Sequence, residues 1–79
     1  MNRTDKLKER LIHFVKEENS ETSIKIPARV VQSFKLEIVA VYLQDLLRDK
    51  YHKNFKYIEC EQKDINNATD YIFNFKIVE

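Results

Sequence analysis

The run Ile38-Val39-Ala40-Val41-Tyr42-Leu43 lies inside Ala28 to Lys50, a stretch that has no Gly and no Pro and consists mostly of good helix formers. The spacing predicts a helix there that is apolar on every side, and such a helix is expected to be buried on every side. In a chain of 79 residues this makes the segment the centre of the fold or half of a subunit interface. Two readings of its length stand side by side. In one, a helix ends near Lys35 and a second starts near Glu37, because Val30, Val31, Phe34 and Leu36 have the spacing with which paired helices meet across a turn. In the other, a single helix runs from Ala28 to Lys50, because positions 35 to 37 offer neither a glycine stop nor a Ser, Thr, Asp or Asn cap.

Upstream, Leu7, Leu11, Phe14 and Val15 recur at i, i+4, i+7 and i+8 among charged residues, the pattern of a surface helix with one buried stripe. It is expected over Thr4 to Glu18, with Asn2 or Thr4 as cap, Asp5 at the positive end of the dipole and Asn19-Ser20 as its stop. Lys6, Lys8, Arg10 and Lys16 alternate with Glu9, Glu17 and Glu18 and read as a solvated face with i,i+4 ion pairs. After the polar link Asn19 to Thr22, Ser23-Ile24-Lys25-Ile26-Pro27 alternates as a short strand, and Pro27 opens the next helix.

Downstream, Arg48-Asp49-Lys50-Tyr51-His52-Lys53-Asn54 is a basic connection. Phe55 to Gln62 and Thr69 to Val78 alternate as two strands of a hairpin joined by a loop over Lys63 to Ala68. Tyr71, Phe73, Phe75 and Ile77 are expected to face the core. Ile72 and Val78 leave the opposite face less polar than a solvent face, and a last strand with no successor presents an unguarded edge. The expected architecture is α+β: N-terminal helix, short strand, a helical pair or one long helix, and a C-terminal β-hairpin, all in one domain spanning 1–79.

A chain this short buries only about 60% of its unfolded surface, and the usual reinforcements are disulfides, metals or oligomers. With one cysteine, Cys60, an internal disulfide is excluded and a homodimer is the expected remedy. The lone cysteine and the lack of an apolar leader fit a cytoplasmic setting, and no run reaches the roughly 20 apolar residues of a membrane span. Glycine is absent, which rules out the glycine-rich loops that cradle nucleotide phosphates. Charge is uneven: residues 1–58 hold 12 Lys/Arg against 8 Asp/Glu, and residues 59–79 hold 2 against 5.

The order helix, short strand, helix, helix and hairpin resembles the winged helix-turn-helix domain over nearly the whole chain. That resemblance implies DNA binding and transcription regulation. Pro27 to Lys35 would be the supporting helix, Glu37 to Lys50 the one entering the major groove, and Ile65 to Asp70 the tip of the wing. The groove-entering helix begins with Glu37 and the apolar run, offering Gln44 before Arg48, and the wing tip carries Asp64 and Asp70 beside Lys63. Contacts to DNA are therefore expected to go mostly to phosphate. The candidates are Lys25, Arg29, Lys35, Arg48, Lys50, Lys53 and Lys56, the later ones interleaved with Tyr51 and Phe55 as stacking rings. The strand Ser23 to Pro27 with its following helix is also similar to the opening of ribbon-helix-helix repressors.

The residues favour no catalytic or cofactor chemistry. His13 with Glu9 and Glu17 is more simply a set of surface ion pairs than a metal site, and two histidines 39 positions apart with one cysteine do not make a zinc site. Cys60 reads as a small buried side chain. The sequence thus points to a non-enzymatic protein without cofactor: a small DNA-binding regulator, or a protein-interaction module, such as an inhibitor or adaptor, that holds a larger protein through its last strand or helical face.

Overall fold

The computed structural model describes residues 3–17 and 22–78. The proposed cap Asn2, the helix end at Glu18, the stop at Asn19-Ser20 and most of the polar link lie outside them. Helix α1 spans Arg3–Glu17, strand β1 Ser23–Pro27, helix α2 Ala28–Val31, helix α3 Leu36–Tyr51, strand β2 Asn54–Ile65 and strand β3 Ala68–Val78. This is the expected α+β layout, winged-helix-like in its element order.

The segment from Ala28 to Tyr51 forms two helices. Pro27 ends β1 and starts α2 with φ −59° and ψ 137°. The break falls at Gln32 to Lys35 without glycine or a side-chain cap: Phe34 N–H donates to the Val31 carbonyl at 3.0 Å, and Lys35 turns extended at φ −70°, ψ 135°. The Lys35 carbonyl then accepts from Ile38 and Val39 at 3.1 and 3.2 Å, so backbone bonds alone start α3. Phe34 and Leu36 are half-buried against the core, and burial of these two side chains supplies what the missing cap does not. Helix α3 ends on His52 in the left-handed conformation (φ 57°), its N–H reaching the Arg48 carbonyl at 2.8 Å.

Strands β2 and β3 are longer than their alternation suggested, and the loop between them is shorter. Only Asn66 and Asn67 join them, at φ 51° and 64°. Two consecutive left-handed residues match the twist of a two-residue hairpin, and asparagine is the side chain that tolerates them where glycine is absent. The sheet order is β1-β3-β2, antiparallel throughout. The last strand is therefore central and has no open edge along Asp70 to Asn74, where β1 lies on one side and β2 on the other. The expectation of an unguarded final strand fails because Ser23 to Pro27, five residues long, returns to cover it.

Core residues come from every element: Leu7, Leu11 and Val15 of α1, Ile24 and Ile26 of β1, Val31 of α2, Val39, Ala40, Leu43 and Leu47 of α3, Phe55 of β2, and Phe73 and Phe75 of β3. Each such large side chain contributes roughly 1.5–3 kcal/mol by leaving water. Tyr71 is half-buried and Ile77 is exposed, so the expected aromatic face of β3 is core only at its middle. Among the described residues no helix is long and apolar enough to cross a membrane.

Candidate interaction surface

Helix α3 is buried on one side only. Val39, Ala40, Leu43 and Leu47 face the core, whereas Ile38 is 43% and Val41 54% exposed. The expectation of burial all round is corrected here. The helix lies on α1 and on β2, and the exposure of Ile38 and Val41 marks the side they leave uncovered. On that outward stripe Ile38 and Val41, one turn apart, are joined by Glu37, Asp45 and Arg48, all exposed. The stripe was visible in the spacing, since Asp45 and Arg48 follow Ile38 by seven and ten positions and share its side of a helix.

Toward β2, Gln44 holds the strand at its one irregularity. The register between β2 and β3 shifts between Tyr57 and Glu59, and the Tyr57 N–H there donates to Gln44 Oε1 at 3.0 Å. Such a bulge needs an outside acceptor for a group the ladder abandons. Beside it Ile58 is 55% exposed. Tyr57 sits between the rings of Phe73 and Phe75, at centroid distances of 6.3 and 5.8 Å. Burial, then the charges of Cys60, Glu37 and Glu59, push its hydroxyl above the usual tyrosine value.

Toward α1, Lys8 Nζ stands 4.8 Å over the Tyr42 ring. The seam between the two helices opens into a groove lined by Ile12, Tyr42, Leu46, Lys8 and Asp45. Its second part, about 370 Å³, adds Val15, Lys16, Asp49 and Lys50 around Ile12 and Leu46. The i,i+4 ion pairs expected along α1 do not form among the described residues; Lys8 uses a ring instead.

The seven candidate phosphate contacts do not share a face. Lys50 Nζ donates to the Val15 carbonyl at 2.7 Å and lies 5.0 Å over the Tyr51 ring; it closes the C-terminal end of α1, where a cation is favoured by the exposed carbonyls. Arg48 pairs with Asp45 at 3.5 Å, both well exposed. Lys35 is exposed at the opposite end of α3, about 22 Å from Lys50 by helical rise. Lys25 and Lys56 point away from the helices: Lys25 lies between buried Ile24 and Ile26 and opposite Ile72, and Lys56 lies opposite Lys76. Lys53 is exposed in the turn after α3. Arg29 of α2 lines a cleft with Lys6 and Arg10 of α1, two cations whose spacing along α1 is that of an ordinary solvated face. The ring of Tyr51 packs on Phe55 at 6.1 Å, and Phe55 is buried, so neither stands ready to stack a base.

The would-be wing is acidic. Asp64 accepts from Thr69 Oγ1 at 2.7 Å, Asp70 lies opposite Lys63, and Ile65 at the tip is 50% exposed. On the sheet's outer side Ser23 Oγ donates to Asn74 Oδ1 at 2.8 Å, and Asn74 Nδ2 donates to Glu61 Oε1 at 3.3 Å. Among the described residues no three His, Cys, Asp or Glu side chains converge. Cys60 is unpaired and half-buried, and burial followed by the charge of Glu61 pushes its thiol up, the opposite of what activates a nucleophile. Compared with known protein families, with curated proteins and with solved structures, the chain matches none.

Proposed function

We propose that this chain is a non-enzymatic protein-interaction module that uses the outward face of α3 to hold a larger protein. The observation that carries the reading is the exposure of Ile38 and Val41 on the very helix that a winged-helix arrangement presents outward. Reading a major groove needs donors and acceptors aimed at base edges. Ile38 and Val41 have neither, and of the charges beside them Glu37 repels phosphate while Asp45 is paired with Arg48. The same features suit a protein partner: an apolar centre excludes water, and the charged rim, Glu37 with the Asp45–Arg48 pair, selects a partner whose apolar contact is edged by complementary charge. The DNA-binding, transcription-regulating reading fits less well, because its cations are dispersed or engaged within the chain. A reducing, cytoplasmic setting goes with this proposal, since Cys60 is unpaired.

The test is the double substitution I38K/V41K. Both sites are exposed, so the melting temperature should stay within a few degrees of the parent, as surface changes do (about 0.5 kcal/mol). A partner isolated with the parent protein and then purified should bind it in a calorimetric titration and bind the variant at least about tenfold more weakly, the loss typical of a central interface residue. Equal binding to parent and variant would sink the proposal. So would light scattering that shows this face occupied by a second copy, seen as a dimer that I38K/V41K turns into a monomer.

A further inference from the structure

Three cations gather where α1 meets α2. Lys6 and Arg10 of α1 and Arg29 of α2 line a cleft of about 230 Å³ with Gln32, Ser33 and Phe34. It continues past Arg10, Arg29 and Val30, shared by both, into a wider one of about 510 Å³ that also takes in His13 and Phe14. Among the described residues no carboxylate lines either part. Among the described residues, Lys6, Arg10 and Arg29 have no ion pair or hydrogen-bond partner. Like charges one helical turn apart repel, and a third cation brought against them from α2 adds to that repulsion. An anion held between the three would reverse it.

The shape says more about the anion. From Lys6 to Phe14 the cleft follows α1 for eight residues of rise, about 12 Å, longer than one phosphate group requires. Two half-buried aromatic rings line it as well, Phe34 in the part that holds Lys6 and Phe14 in the part that holds His13. Cations that track a backbone with rings beside them are the means by which proteins hold single strands, because every base has a face to stack while every phosphate has a charge. A concave cleft between two helices also admits a strand more readily than a duplex.

We infer that the α1–α2 cleft binds the backbone of a single-stranded nucleic acid, with phosphates at Lys6, Arg10 and Arg29 and bases against Phe14 and Phe34. This site is separate from the outward face of α3 and does not depend on what that face holds. Of the seven cations singled out in the sequence, it uses Arg29 alone.

The experiment is a fluorescence-anisotropy titration of a labelled oligothymidine of about twelve nucleotides, within the usual site size of such proteins, with a duplex of equal length and heparin as competitors. The parent protein should bind the single strand at low salt, with log affinity falling against log salt at a slope of about −2 for three phosphates. R10Q/R29Q should weaken binding by about tenfold or more and bring the slope to about −0.7, one phosphate's worth. K25Q/K56Q, on the outer side of the sheet, should change affinity by less than about twofold, as cations away from the contact do. If R10Q/R29Q does not melt cooperatively, K6Q and R29Q taken singly should each reduce the slope by about 0.7. The inference is overturned if the strand does not bind, if R10Q/R29Q binds it as the parent does, or if duplex or heparin displaces it as well as unlabelled single strand.

Discussion

The two sides of α3 begin from nearly the same chemistry and end in opposite places. Inward, Val39, Leu43 and Leu47 are wholly buried and Ala40 nearly so; outward, Ile38 and Val41 remain in water. An isoleucine and two valines within four positions have almost equal appetite for burial, so hydropathy cannot separate them. What separates them is how much neighbour there is. Helix α1 and the sheet cover one side of α3, and a three-stranded sheet with one long helix has nothing left for the other. Apolar residues left out by this shortage of cover are where a partner gains most from binding.

The largest effect expected is on the inward side. Leu43→Ala should cost about 2–5 kcal/mol, the range for a leucine truncated in a closed core, while Val41→Ala two positions earlier should stay within about 0.5 kcal/mol. Urea unfolding of both variants checks the pair by the shift in midpoint at unchanged slope. A comparable loss at Val41 would mean that the outward side is covered in solution, and the contrast between the two sides would collapse.

How far the sequence disclosed this arrangement differs by element. The stripe Leu7, Leu11 and Val15, the strand ending at Pro27 and the alternation through Phe73 and Phe75 were legible, because each is a local period that burial repeats. The break between α2 and α3 was not decided, since Gln32 to Lys35 carries neither glycine nor cap and is fixed by the burial of Phe34 and Leu36, a tertiary fact. The position of β3 was hidden for the same kind of reason: no feature of Thr69 to Val78 says that Ser23 to Pro27 will return to its side. The cationic cleft was the least visible, because Lys6 and Arg10 look like any solvated pair until Arg29, some twenty residues on, is brought against them. The bond of Lys50 was hidden for a matching reason, its partner being a carbonyl of α1.

Lys50 sharpens the comparison at the end of α3, where an exposed residue counted with the basic surface also braces α1 through the Val15 carbonyl. Lys50→Met keeps the stem and removes the charge, the bond to the Val15 carbonyl and the contact with the Tyr51 ring. Stability should fall by about 1 kcal/mol, the worth of a hydrogen bond to a charged group partly open to water. Nucleic-acid affinity should be untouched, since the cleft at Arg29 does not include it. Denaturant unfolding and the anisotropy titration read the two quantities separately. A variant as stable as the parent that binds nucleic acid less well would return Lys50 to the surface role its sequence context suggested.

The smallest effect lies on the flank of α3 that faces β2, between the covered side and the open one. Burial and the nearby Cys60, Glu37 and Glu59 raise the Tyr57 hydroxyl above its ordinary value of 10.0, and burial with Glu61 raises the Cys60 thiol above 9.0. In both cases the folded chain keeps its proton to higher pH than the unfolded chain does. Between the ordinary and the raised value the native state therefore holds more protons, and stability falls as pH rises. Their contribution is complete below pH 9, declines first through Cys60 and then through Tyr57, and is lost once the raised values are passed. Tyr57→Phe preserves the ring contacts with Phe73 and Phe75 while removing the later part of that decline. Melting temperatures from pH 8 to 11 should fall for the parent and fall less steeply for Tyr57→Phe above pH 10. Parallel curves would show that the hydroxyl on this flank already faces water as freely as Ile38 and Val41 do, and that the covered side of α3 ends before it reaches the bulge.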